Sequence, residues 1–189
     1  DIEFERFQAM SIFEIKEIRD AYSEGKKENN MYQFINQLLK KYGSLHHKIN
    51  FIQNIRSNDD YVYKHSLNTA ILCALISSRL GLEFKTQLDL TAAALLHDIG
   101  GLQIPNNIRR KKTIDLTMED EKKITMCYQN SYDAFKANLN LSPDIKRILS
   151  AGLMLLHPDI PSAPENGPKV IGAEILKVAN CFDNMTAMK

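Results

Sequence analysis

Ala94-Leu95-Leu96-His97-Asp98-Ile99-Gly100 is the stretch on which the fold turns. It completes the run Thr91-Ala92-Ala93-Ala94-Leu95-Leu96, which is apolar on most sides of a helix over about 86–98. A helix of that kind belongs at the centre of a helical core. The run ends on an imidazole, a carboxylate and the helix stop Gly100-Gly101. A neutral imidazole beside a carboxylate can reach one divalent cation, and the negative end of the helix dipole favours a cation there. A buried His hydrogen-bonded to its neighbouring Asp explains the same pair without a metal.

Working outward, helical spacing recurs on both sides. An apolar helix is expected from about Asp60 to Leu80, with Gly81 as its stop. His65 lies on it, and antiparallel packing can bring His65 to His97. Thr117 caps a helix from Met118 to about Asn138, with Glu119, Asp120 and Glu121 in the first turn. Ser142-Pro143 opens another to about Leu156, and Pro158 to Pro168 read as a loop. A last helix from about Lys169 sets Ile171, Ile175, Val178, Phe182 and Met185 on one face.

Toward the start, Phe4, Phe7, Ile15, Ile18 and Tyr22 predict a helix over 2–24. Met31, Ile35, Leu38, Tyr42, Leu45, Ile49 and Ile52 then form a narrow apolar seam. The seam serves either packing within the chain or a homodimer. No alternating strand pattern competes, so the chain reads all-α.

The 24 Lys and Arg balance 23 Asp and Glu, for a net charge of +1. That balance excludes a generally basic surface for a nucleic-acid polymer or an anionic membrane. No stretch reaches the length of a membrane span. Cys73, Cys127 and Cys181 are scattered, which suits a reducing cytoplasm and reads as core rather than as a metal or redox motif. The chain opens without Met and stops inside a helical pattern, so it is expected to be a piece of a longer protein.

Tyr61-Val62-Tyr63-Lys64-His65-Ser66-Leu67-Asn68 and Leu96-His97-Asp98-Ile99-Gly100 resemble the two leading motifs of the HD superfamily of metal-dependent phosphohydrolases. Gly101-Leu102-Gln103-Ile104-Pro105 and Leu116-Thr117-Met118-Glu119 are similar to the HD-GYP branch, whose active members hydrolyse cyclic di-GMP. Ile175 to Thr186 resembles that branch's closing metal motif. The resemblance implies an HD-domain helical bundle over 57–189, C-terminally incomplete, with residues 1–56 as an N-terminal helical extension. It also implies a metal set of His65, His97, Asp98 and Asn180, with Asp98 catalytic if the site turns over.

The departures from the branch cluster at that set. Tyr61 stands where the family has a carboxylate, Gly101 where it has a lysine, and Tyr128 where it has a histidine. The family's paired histidines fall on Gly152-Leu153, although a shifted alignment can offer His157. Its GYP loop is replaced by Ile160-Pro161-Ser162, and its last metal aspartate is Asn180. Two divalent ions about 3.5–4 Å apart need several anionic ligands, and here one remains. Three readings follow. The chain is a degenerate signalling module that binds a protein partner or cyclic dinucleotide without turnover. Alternatively it is a phosphodiesterase with one divalent ion, such as Fe or Mn, or else a structural or dimerising helical unit. Arg109 and Arg110 are candidate phosphate contacts. His46 and His47 are expected to be bystanders, and Asp183 to make a helix-packing hydrogen bond.

Overall fold

A computed structural model describes residues 2–24, 26, 30–42, 58–160 and 169–186. Its helices run α1 Ile2–Ser23, α2 Met31–Tyr42, α3 Asn58–Arg79 and α4 Phe84–Leu96. The short helices α5 Ile99–Leu102 and α6 Asn106–Arg109 follow, then a 3-10 turn, Thr113–Asp115. Finally come α7 Met118–Ala137, α8 Pro143–Leu156 and α9 Ile171–Thr186. No strand occurs among the described residues, so the fold is all-α. No described helix is long and apolar enough to cross a membrane.

Helix α4 is the axis of the core. Every residue from Asp89 to Leu96 is buried, as an all-round apolar helix requires. It is packed by α3, α8, α2, α9 and α1. Three of the expected start and stop signals act as read, whereas Gly100-Gly101, expected to stop the central helix, lies inside α5 after α4 has already ended at Leu96. Thr117 Oγ1 accepts from Asp120 N and Asp120 returns the bond to Thr117 N, closing a capping box. Ser142 Oγ accepts from Ile145 N. Gly81, at φ +66°, ends α3 with Leu82 N donating to Ser77 O and Gly81 N to Ser78 O, the paired bonds of a Schellman stop.

The seam resolves in part. Met31, Ile35 and Leu38 are fully buried in the same core as Leu67, Leu90 and Leu95, so this half serves packing within the chain. Leu45, Ile49 and Ile52 lie outside the described residues, as do His46, His47 and the boundary expected at 56. Helix α1 joins that core through Ile15, Ile18 and Tyr22.

Two expectations need correction. On α9 the buried side carries Gly172, Ala173, Ile175, Leu176, Ala179 and Asp183, while Ile171, Val178, Phe182 and Met185 are exposed. Apolar spacing alone cannot say which side faces α3 and α8. The cysteines are not all core, because only Cys73 is buried and Cys181 is exposed.

Close approaches hold the site's neighbourhood together. A Cβ on Gly152 would lie 2.7 Å from Leu176 Cδ2, so α8 and α9 touch closely there and a side chain at 152 would have to displace Leu176. A Cβ on Gly100 would meet Tyr128 Cδ1 at 2.8 Å, Tyr128 Cα at 3.0 Å and Cys127 O at 3.1 Å. Two of those atoms are backbone and cannot rotate away. Gly100→Ala is therefore expected to cost about 1–3 kcal/mol, read as a lower urea midpoint. An unchanged midpoint would show that α5 and α7 separate freely.

Candidate functional site

His65 on α3, His97 at the end of α4 and Asn180 on α9 meet at one point. His65 Nε2 lies 2.7 Å from Asn180 Oδ1, and His97 Nε2 lies 3.1 Å from the same oxygen. Three helices remote in sequence thus converge on a single amide. The two imidazole rings stand edge to face, with centroids 5.4 Å apart.

The outer nitrogens are also engaged. His97 Nδ1–H donates to Ala94 O at 2.6 Å. Burial, reinforced by the charge on His65, lowers the His97 pKa to about 4, so this ring is neutral near pH 7. His65 Nδ1–H donates to Asp183 Oδ2 at 2.6 Å, and Asn68 Nδ2 donates to Asp183 Oδ1 at 2.8 Å. Burial pulls the His65 pKa down, but the Asp183 hydrogen bond and the charges of Asp98 and Asp183 outweigh it. The net direction is upward, which favours a cationic His65 that donates from both nitrogens. Asp183 thus makes the helix-packing hydrogen bond that its position suggested.

Asp98 sits apart from this chain of bonds. Its Oδ1 accepts from Tyr128 Oη at 2.6 Å. Burial, followed by the charge of Asp98, raises the Tyr128 pKa well above its ordinary value, so the phenol keeps its proton for that bond. Burial also opposes ionisation of Asp98, but the positive charges around it, His65 first and Arg19 among them, lower its pKa on balance. Tyr128 is stacked in turn on His157, with centroids 3.7 Å apart. Tyr61 covers His65, with ring planes 6° apart, and donates to Asn184 Oδ1 at 2.8 Å. Burial and the nearby carboxylates push its pKa up to about 12.

The donor set does not fit a divalent cation. A ligand must offer a lone pair. His65 Nε2 lies against the Asn180 oxygen, Asn180 is neutral, and one Asp98 oxygen is already taken by Tyr128. Among the described residues no three His, Cys, Asp or Glu side chains stand where they can hold one ion.

The basic run is largely committed elsewhere. The Arg109 guanidinium donates to Leu102 O at 3.0 Å and Ile104 O at 2.9 Å, tying α6 to α5. Lys111 pairs with Asp120 at 2.6 Å. Arg110 is exposed. The residues that sequence reasoning missed are Tyr61 and Tyr128 as hydrogen-bonding partners, and Arg19 altogether. The departures at 61 and 128 were legible, but only the packing shows what the phenols do.

The depressed His97 pKa has a thermodynamic consequence. The unfolded chain takes up this proton near 6.5, and the folded chain only near 4. Acidification across that window favours the unfolded state, by up to about 3 kcal/mol from this group. His65 works in the opposite sense. Its raised pKa contributes stability that is complete below 6.5 and is lost as pH rises through the folded value. The stability gap between wild type and His97→Gln is therefore expected to narrow from neutral pH to about 4 in urea titrations. A gap that stays constant with pH would contradict a neutral buried His97.

The sequence profile of the HD domain family matches residues 62–185. A curated relative, Cyclic di-GMP phosphodiesterase PdeB of Borreliella burgdorferi, is 36% identical over 86 residues, which is 46% of this chain and 22% of that protein. The chain therefore spans about a fifth of that relative's length. No solved structure matches the chain. The family match covers every residue of the His65, His97, Asp98 and Asn180 constellation, and the chain belongs to the HD domain family.

Proposed function

We propose that this chain is a degenerate HD-GYP domain. It acts in bacterial cyclic di-GMP signalling as a regulatory or binding module, with little or no phosphodiesterase activity. The nucleotide follows from the relative's name and from the HD-GYP resemblance of the motifs. The loss of turnover rests on one observation above all: Asn180 and Tyr128 already engage the groups that a metal-assisted hydrolysis would need. His65 and His97 are both within 3.1 Å of the Asn180 oxygen, and Asp98 accepts from Tyr128 at 2.6 Å.

Phosphodiester hydrolysis of this class needs an activated water and positive charge on the phosphate oxygens. Here the ligand set has lost the anionic charge that would retain two cations. What remains is a polar cluster, which holds α3, α4 and α9 in register and supports a surface for a partner or nucleotide. Arg110, exposed at the end of α6, suits a phosphate contact better than Arg109 does.

Pure protein incubated with cyclic di-GMP and Mn²⁺ or Fe²⁺ is expected to release no linear dinucleotide or GMP above a protein-free control. Metal-dependent release that disappears in His97→Ala would overturn the proposal in favour of a mononuclear enzyme. Asn180→Asp places an anion between the two imidazoles and is expected to raise Mn²⁺ affinity at least about tenfold, roughly 1.4 kcal/mol. An affinity that does not move would remove Asn180 from the metal set.

A further inference from the structure

Arg19 is the largest fully buried side chain among the described residues, at 0% exposure, on the inward face of α1 with Ser11, Ile15, Ile18 and Tyr22. None of its three guanidinium nitrogens has a hydrogen-bond partner among the described residues. Its contact is with a ring: the guanidinium carbon lies 5.3 Å from the centroid of Tyr63 on α3. Lys16, on the same helix, brings Nζ to 4.8 Å from that centroid. The hydroxyls of Ser11, about two turns before Arg19, and of Ser66, about one turn beyond Tyr63, are also buried without a partner among the described residues. Between α1 and the start of α2 runs a cleft of about 170 Å³, lined by Glu14, Asn30, Gln33, Phe34 and Gln37. All but Phe34 are polar, so water rather than apolar packing meets that flank of α1.

Two opposed effects therefore act on the seating of α1. Ile15, Ile18 and Tyr22 favour the docked helix, because docking takes them out of water into the core. Arg19 opposes it. A guanidinium stripped of water with no hydrogen bond in return is costly to bury, and an aromatic face gives back only part of that cost. Lys16 shares the ring, and repulsion between the two cations reduces the return further. In an undocked helix Arg19 regains its hydration. The docked and undocked positions are thereby drawn together in free energy, as a two-state element requires. We propose that α1 is a releasable strap. Docked, it braces α3 and α4, the helices that lead to His65 and His97. Released, it uncovers the Tyr63 side of α3 and presents its own inward face, Ile15, Ile18, Arg19 and Tyr22. The strap does not depend on whether cyclic di-GMP is turned over.

Amide hydrogen exchange on the intact chain tests the strap. In wild type the amides from Ile15 to Tyr22 are expected to exchange at least about a hundredfold faster than those of α4, through an opening that leaves α4 protected. Arg19→Met keeps the apolar stem and removes the charge. It is expected to slow exchange over that stretch at least about tenfold and to raise the melting temperature. Arg19→Lys keeps a buried cation and is expected not to slow it. An α1 that exchanges no faster than α4 would overturn the proposal, because the helix would then leave only on global unfolding. So would an Arg19→Met that leaves α1 exchange unchanged, speeds it or does not fold, since Arg19 would then not oppose docking. An Arg19→Lys that slows exchange as Arg19→Met does would trace the effect to side-chain shape and overturn it too. Each of these results leaves the turnover assay untouched.

Discussion

Charges buried where α3, α4 and α9 meet must cancel there, because water cannot reach in to solvate them. That constraint organises the centre of this protein. Asp183 is answered by His65 and Asn68, Asp98 by Tyr128, and His97 stays neutral. Each bond joins elements far apart in the chain, so the cancellation also sets the register of the helices. Elsewhere the core is apolar and tolerant of shape. At this junction it is polar, and each polar group needs its partner within hydrogen-bond reach.

The departures at Gly101 and Tyr128 are one adjustment rather than two. A Cβ at 101 would lie 2.9 Å from Asp98 Oδ1 and 3.2 Å from Tyr128 Oη, the two atoms of the hydrogen bond. A side chain at 101 would therefore press on both ends of the Tyr128–Asp98 bond. A lysine at 101 would collide with the bond that satisfies the carboxylate. Position 152 follows a similar rule. Its glycine lets Leu176 approach so closely that a side chain there would require Leu176 to shift.

The fold was legible to the extent that it is local. The all-round apolar run before His97 marked the central helix. Thr117, Ser142 and Gly81 marked helix ends because their bonds span only a few residues. The outward face of α9 was not legible. Ile171, Val178, Phe182 and Met185 share the spacing of a buried stripe, and only the positions of α3 and α8 decide which stripe is inside. The seam from Met31 likewise had two valid uses, and burial of Met31, Ile35 and Leu38 assigns its first half to packing within the chain.

The candidate site divides in the same way. By itself the sequence determined the residue types: two histidines, one aspartate, an asparagine where a carboxylate is expected, and tyrosines in place of ligands. Those identities set the available charge, and charge is a property of composition that folding cannot change. The tertiary structure alone decided who partners whom. It turned His65 toward Asp183, seated Tyr128 on Asp98, stacked His157 on that tyrosine and carried Arg19 in from the first helix. The physical reason is range. Helix periodicity and capping act over a few residues, whereas these contacts span about thirty to well over a hundred and exist only once the helices have packed.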